Sequence, residues 1–259
     1  MGKIPDFLVL GAQKCGTTSF YEFLCGHPQV VPAAEKELHF FDRDWHTGLD
    51  AYRECFRDEP DTITGEATPY YLFHPEVPGR VAKIAPEACF LVLLRDPIDR
   101  AYSHHQMQRR FGREQLNFEA AVEAEPQRLA ASPANHPRYS YLARGRYAEQ
   151  LERWFDRFGR ERFLILETAA LRERADECAA RVAGFLGIDP FPAEAVWPSR
   201  GRSRYAPLSL ATREALAAHF EPHNEALFRL LGERFAWRRP RTSALPQAAV
   251  ISRGGAETR

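Results

Sequence analysis

A chain of 259 residues with 35 Lys+Arg and 35 Asp+Glu has no formal net charge, and 44% of it is hydrophobic and 12% aromatic. That balance excludes global disorder, which goes with few aromatics and a large charge excess. It also argues against a general nucleic-acid binder, whose phosphate affinity needs surplus positive charge. The longest apolar runs, residues 7–10 and 90–94, fall far short of the roughly 18–20 residues of a membrane helix.

In chain order, residues 7–10 (Phe-Leu-Val-Leu) read as a buried strand ended by Gly11, since a short continuous apolar run suits a parallel strand covered on both faces. The N-terminus enters this strand with no apolar signal region before it, so a cytosolic location is expected. A helix is predicted over 17–25, with Phe20, Phe23 and Leu24 on one face. Strand, glycine loop and helix together open a βαβ unit. Further strands are predicted at 62–66, 90–94 and 163–166, and helices at 78–84, 97–109, 147–158, 175–186 and 209–231, the last broken near Pro222. Residues 126–141, proline-rich and without period, are expected to be a mobile loop, and the tail 240–259 to be disordered. The alternation indicates one α/β domain over residues 1–239, with a central, mostly parallel sheet flanked by helices. Ligands of such sheets sit beyond the carboxyl ends of the strands. That brings the loop 11–18, residues 66–69, and Arg95 with Asp96 to one edge.

Four segments carry candidate chemistry. The loop after the first strand reads Gly11-Ala12-Gln13-Lys14-Cys15-Gly16-Thr17-Thr18. Backbone N–H groups at a strand-to-helix junction point at an anion, and the helix dipole favours it. Only four of the 35 basic residues are lysine, so a lysine in a glycine loop invites a chemical explanation. The spacing is not that of a Walker A loop, in which the lysine follows the last glycine. Second, Arg95 follows a buried strand and Ser103 lies eight residues further on, a pair suited to a second phosphate. Asp96 is one place late for a magnesium-binding Walker B aspartate. Third, Glu35-Lys36-Glu37-Leu38-His39 precedes the aromatic pair Phe40-Phe41. Fourth, Arg200, Gly201 and Arg202 form a basic stretch with small residues that lets backbone approach an anion. Phe40, Phe41, Trp45, Tyr70 and Tyr71, with Glu66 and the 126–141 segment, are candidate walls of an acceptor cleft. The five scattered cysteines fit neither a zinc site nor a disulfide framework, and no metal is expected.

Taken in order, these segments resemble the PAPS-dependent sulfotransferases (PAPS is 3′-phosphoadenosine 5′-phosphosulfate). They are most similar to the heparan sulfate glucosaminyl 3-O- and N-sulfotransferases and their bacterial relatives. The likeness runs from Phe7 to Trp237 and includes Phe220-Glu221-Pro222-His223-Asn224 and Phe235-Ala236-Trp237. It implies a P-loop-like nucleotide-binding sulfotransferase fold, with PAPS as sulfate donor and 3′,5′-adenosine bisphosphate, PAP, as product. By position it implies that Lys14, Cys15, Gly16, Thr17 and Thr18 bind the 5′-phosphosulfate and that Arg95 and Ser103 bind the 3′-phosphate. Arg200, Gly201 and Arg202 would close over the nucleotide. Glu37 would be the catalytic base, with His39 beside it and Lys14 stabilising the leaving group. The acceptor would be a hydroxyl, or as second choice an amine, on a small molecule, glycan, lipid or carrier-bound substrate. Ala67 stands where heparan enzymes often carry lysine, and the cysteines that flank the closing loop in secreted members are absent. The alternatives are a P-loop nucleotide kinase or NTPase, and a nucleotide-binding module without catalysis.

Overall fold

The computed structural model of the chain describes residues 2–192, 195, 197, 198 and 205–237. Among these, strands β1 (Phe7–Gly11), β2 (Val30–Pro32), β3 (Ile63–Ala67), β4 (Cys89–Leu94) and β5 (Phe163–Glu167) form one sheet in the order β2-β3-β1-β4-β5, every neighbouring pair parallel. The apolar runs lie at its centre: Phe7, Leu8, Val9 and Leu10 are fully buried, as are Val92, Leu93 and Leu94. Burial on both faces is what their unbroken apolar character requires. Strand β2 went unread because three residues are too few to show a period. Its Pro32 is tolerated because β2 is an edge strand, where a missing N–H breaks no central ladder.

The helices, in chain order, are α1 (Thr17–Cys25), α2 (Leu49–Arg53), α3 (Val77–Ile84), α4 (Pro97–Arg110), α5 (Phe118–Glu123), α6 (Glu125–Ala131), α7 (His136–Tyr139), α8 (Tyr147–Phe155), α9 (Ala170–Glu173), α10 (Ala175–Leu186) and α11 (Leu210–Leu231). Because β3 and β4 lie on opposite sides of β1, the loop leaving β1 sits where the strand order reverses. That crevice is where open parallel sheets bind ligands.

Two expectations are corrected. Residues 126–141 are not a mobile loop: they contain most of α6, a 3-10 turn at Pro133–Asn135, and α7. Each proline of the segment stands in the first turn of its element, where its fixed φ helps and its missing N–H costs nothing. The buried Glu125 carboxylate accepts from the Leu142 and Ala143 N–H groups at 2.7 and 2.8 Å, and Glu114 pairs with Arg128 at 2.5 Å and with the Tyr141 hydroxyl at 2.9 Å. Nor is the last helix broken: α11 runs through Pro222. Its Phe220 packs with Ile98, Ala101, Phe118 and Tyr141 in a second hydrophobic cluster. Gly145 makes that approach possible, since a Cβ there would stand 2.7 Å from the Phe220 ring. Tertiary packing outweighs the lost helical hydrogen bond. Among the described residues, no helix is long and apolar enough to cross a membrane. Residues 240–259 lie outside the described residues.

Candidate active site

The loop after β1 is drawn tight by its own backbone. Ala12 N–H donates to Leu93 O at 2.8 Å, Cys15 N–H to Ala12 O at 3.1 Å, and the Thr168 hydroxyl to Cys15 O at 2.7 Å. Lys14 takes a left-handed φ of 73° and Gly16 one of 89°. Gly16 is exposed at the head of α1, and no side chain caps that helix. The first N–H groups of α1, orphaned as in any helix, therefore face outward with the positive end of the dipole. Thr17 is buried and Thr18 half-buried in the same turn. Cys15 contributes only backbone here: its thiol is fully buried against the Tyr147 hydroxyl, 3.8 Å away, and burial pushes its pKa up.

Arg95 leaves the end of β4 and donates to Lys14 O at 3.3 Å, so the two loops touch. Asp99 faces Arg95 at 4.0 Å and Arg213 of α11 at 2.6 Å, bracing the arginine from behind. Ser103 lies two turns along α4 and is buried, at 7% exposure. Asp96 caps α4, accepting from the Ile98 and Asp99 N–H groups at 2.9 and 3.2 Å. Both bonds go to one oxygen, Oδ1, so Asp96 serves as the N-cap of α4. Burial chiefly lowers the Lys14 pKa, and the nearby Arg110 and Arg95 push the same way. An anion at this place would relieve that crowding of positive charge.

Glu37 and His39 stand on the segment between β2 and α2. Glu37 accepts from Lys36 Nζ at 3.1 Å, and its other oxygen is 3.3 Å from His39 Nε2. The opposite ring nitrogen, Nδ1, meets Asp42 at 2.9 Å. Burial would lower the His39 pKa, but the two carboxylates win and raise it to about 9. The ring is therefore an imidazolium at neutral pH, donating from both nitrogens. Burial would raise Glu37, yet His39 and Lys36 hold it below its ordinary value. Asp42 was missed from sequence, although a carboxylate three residues after a candidate histidine was a readable signal.

Across from the loop, Arg144 is 2% exposed and donates to Gln13 Oε1 at 2.6 Å and to the Ser140 hydroxyl at 2.8 Å. Its guanidinium lies over the Tyr70 ring, 4.5 Å from the centroid, and it acts electrostatically on Glu37. It thus links the lysine loop, the Glu37 segment and the Tyr70 ring. No local pattern announced it, because its partner Gln13 is 131 residues away. Tyr70 stands at this junction, buried at 8% exposure. Phe40, Glu66 and Tyr71 lie deeper, at 4%, 1% and 0% exposure. Glu66 accepts hydroxyl protons from Tyr52, Tyr71 and Thr68. Arg200, Gly201 and Arg202 lie outside the described residues.

Comparison with known proteins shows what the chain as a whole is similar to. The model of the family described as "Sulfotransferase domain" matches residues 4–198. The human bifunctional heparan sulfate N-deacetylase/N-sulfotransferase 3 is 30% identical over 264 aligned positions, covering 88% of this chain and 30% of the relative. The chain therefore spans about a third of the length of such relatives. A crystal structure of a sulfotransferase from Alicyclobacillus acidocaldarius superposes with a TM-score of 0.78 at 29% identity, covering 92% of this chain and all of the other. A mouse sulfotransferase solved in complex with PAP shares the fold, with a TM-score of 0.52 at 16% identity over 74% of this chain and 61% of that one.

Proposed function

Because the chain belongs to the sulfotransferase domain family, we propose that it transfers the sulfuryl group of PAPS to an acceptor hydroxyl, with an amine as second choice. The observation that carries this reading is the uncapped, glycine-headed start of α1, with Lys14 in front of it and Arg95 touching its loop. The orphan N–H groups, a lysine and an arginine together suit a ligand with two anionic groups. The heparan sulfate relatives favour a glycan acceptor, and lipid and natural-product hydroxyls suit the aromatic wall at Tyr70 equally.

Bound here, PAPS would supply an activated sulfur–oxygen bond. The N–H groups from Gly16 onward and the Thr17 and Thr18 hydroxyls hold the 5′ end. Arg95, braced by Asp99, and Ser103 hold the 3′-phosphate. Lys14 neutralises charge gathering on the bridging oxygen as the sulfur–oxygen bond breaks. Glu37 accepts the proton of the acceptor hydroxyl as its oxygen bonds to sulfur in line with the leaving group. Protonated His39, fixed between Glu37 and Asp42, orients the base and does not serve as one itself.

Calorimetric titration of the protein with PAP tests the donor site. PAP should bind, and Arg95→Ala should weaken PAP far more than 5′-AMP, which lacks the 3′-phosphate. Equal losses would contradict the role given to Arg95, and no PAP uptake by the folded wild type would overturn the donor assignment. Incorporation of labelled sulfate from PAPS into a panel of glycan, lipid and phenolic acceptors then identifies the acceptor.

A further inference from the structure

Glu66 carries a buried carboxylate in the middle of the protein that the proposed chemistry does not use. It sits in β3, with Ala67 as the last residue of the strand, and is 1% exposed. Tyr52 of α2 donates to its Oε1 at 2.8 Å, Tyr71 donates to the same oxygen at 3.0 Å, and Thr68 donates to Oε2 at 2.7 Å.

Two of these hydroxyls lead onward to one place. With their protons committed to Glu66, their oxygens are free to accept. The Tyr71 oxygen accepts from the Phe41 N–H at 3.3 Å, and the Thr68 oxygen accepts from the His39 N–H at 3.4 Å. The third partner grips the same segment by its ring: Tyr52 stacks on Phe40 at 4.1 Å between centroids and meets Phe41 edge-on at 5.1 Å. A non-glycine residue at the left-handed φ of 56° found at His39 persists only where its surroundings hold it.

We propose that Glu66 is a positioning residue: through Thr68 and Tyr71 it pins the backbone on both sides of Phe40 and so sets where the Glu37 and His39 side chains stand. This rests on the reading of Glu37 and His39 as the base and its orienter. Ionised, as it is across the range in which His39 titrates, the Glu66 carboxylate polarises both hydroxyls toward itself, which fixes their direction and makes each an acceptor for the amide behind it. The titratable groups around it are Tyr52, Tyr71 and Tyr21, the Cys55 thiol and the Asp42 carboxylate. Burial raises Glu66 to about 7 even though three hydroxyls favour its ionised form. It is thus a buried group with a polar task and no contact with solvent. The sequence suggested an acceptor contact at this position, and the geometry points to support from behind the base segment.

The test needs no acceptor. Long-range proton–nitrogen spectra of the histidine rings, with His39 assigned from His39→Gln, follow its titration in the wild type, Tyr71→Phe, Thr68→Val and Thr68→Ser. The wild-type ring should titrate near 9. Tyr71→Phe and Thr68→Val should each bind the His39 proton about tenfold more weakly or worse, a fall of one pKa unit, because the ring drifts from its carboxylates. Thr68→Ser, which keeps the hydroxyl, should restore the wild-type curve, and all folded variants should bind PAP as the wild type does. If Tyr71→Phe fails to fold, the Thr68→Val and Thr68→Ser pair decides alone. An unchanged His39 titration in folded Thr68→Val overturns the proposal, even if the variant melts earlier, since a merely structural role would lower stability alone. Failure of the wild type to bind PAP would sink the donor reading and leave this comparison standing.

Discussion

Lys14 is half-buried in a left-handed turn, with Arg95 and Arg110 nearby. Its charge is costly where it stands and is best compensated by an anion in front of α1. Lys14→Ala should therefore lower turnover by ~10²-fold or more through lost stabilisation of the leaving oxygen, read from the rate of labelled-sulfate transfer. Near-normal turnover would remove Lys14 from the mechanism. Glu37→Gln separates chemistry from binding: turnover should fall by about 10²–10⁴-fold, while calorimetry finds PAP affinity unchanged. At this scale the sequence singled out Lys14 because lysine is rare in the chain and its loop is short. His39 was found for the right neighbourhood, but its protonated state depends on Asp42 closing over Nδ1 at 2.9 Å, which requires the chain to turn back between them.

Among the elements, α4 is the one that connects everything. It begins at Asp96, carries Ser103, and packs against the 3-10 turn Ala143–Gly145 and against α11. Within that packing Gly145 leaves no room for a side chain, since a Cβ there would stand 2.7 Å from the Phe220 ring. Gly145→Ala should destabilise the protein by about 1–3 kcal/mol through overpacking, seen as a lower thermal midpoint. A variant as stable as the wild type would show that α11 can shift outward freely. The pattern of strands and long helices was legible because each repeats a buried face. The lobe from α5 to α7 was not. Its helices have four to seven residues, too short for a periodic signal, and its prolines read as breakers when they stand at helix starts. Its order comes from Glu114 and Glu125, whose partners lie 14 to 27 residues along the chain.

For the whole molecule, the shifted groups predict how stability follows pH. The folded state raises Glu66 from an ordinary 4.5 to about 7 and His39 from 6.5 to about 9. Each binds its proton more tightly when folded, so its contribution is complete below the unfolded value and disappears as pH rises through the folded one. Stability should therefore decline from pH 4.5 to 7 through Glu66 and from 6.5 to 9 through His39. The His39 share is on the order of 2–3 kcal/mol at most. Glu37, held below its ordinary value, acts in the opposite sense and loses its contribution only as pH falls below 4.5. His74, His104, His105, His219 and His223 are held below 6.5 by burial and act in the opposite sense as pH rises to that value, so the His39 effect is read above it: thermal midpoints should fall between pH 7 and 9, and His39→Gln should flatten that fall. A midpoint that rises from pH 7 to 9 would contradict the sign of the His39 shift.

What the sequence determined by itself was the parallel α/β frame and the corner where the loops after β1 and β4 meet. Hydrophobic runs, a glycine loop and the residues just past the strand ends are local signals, and parallel sheets place such loops together by rule. Only the tertiary structure decided which side chains serve that corner from a distance: Arg144 reaching Gln13, Asp99 held by Arg213, and Glu66 buried behind the base segment. Each is an ordinary charged residue in sequence. Its role arises from burial and from partners contributed by other elements, because a charge taken out of water must be matched by whatever the fold brings next to it.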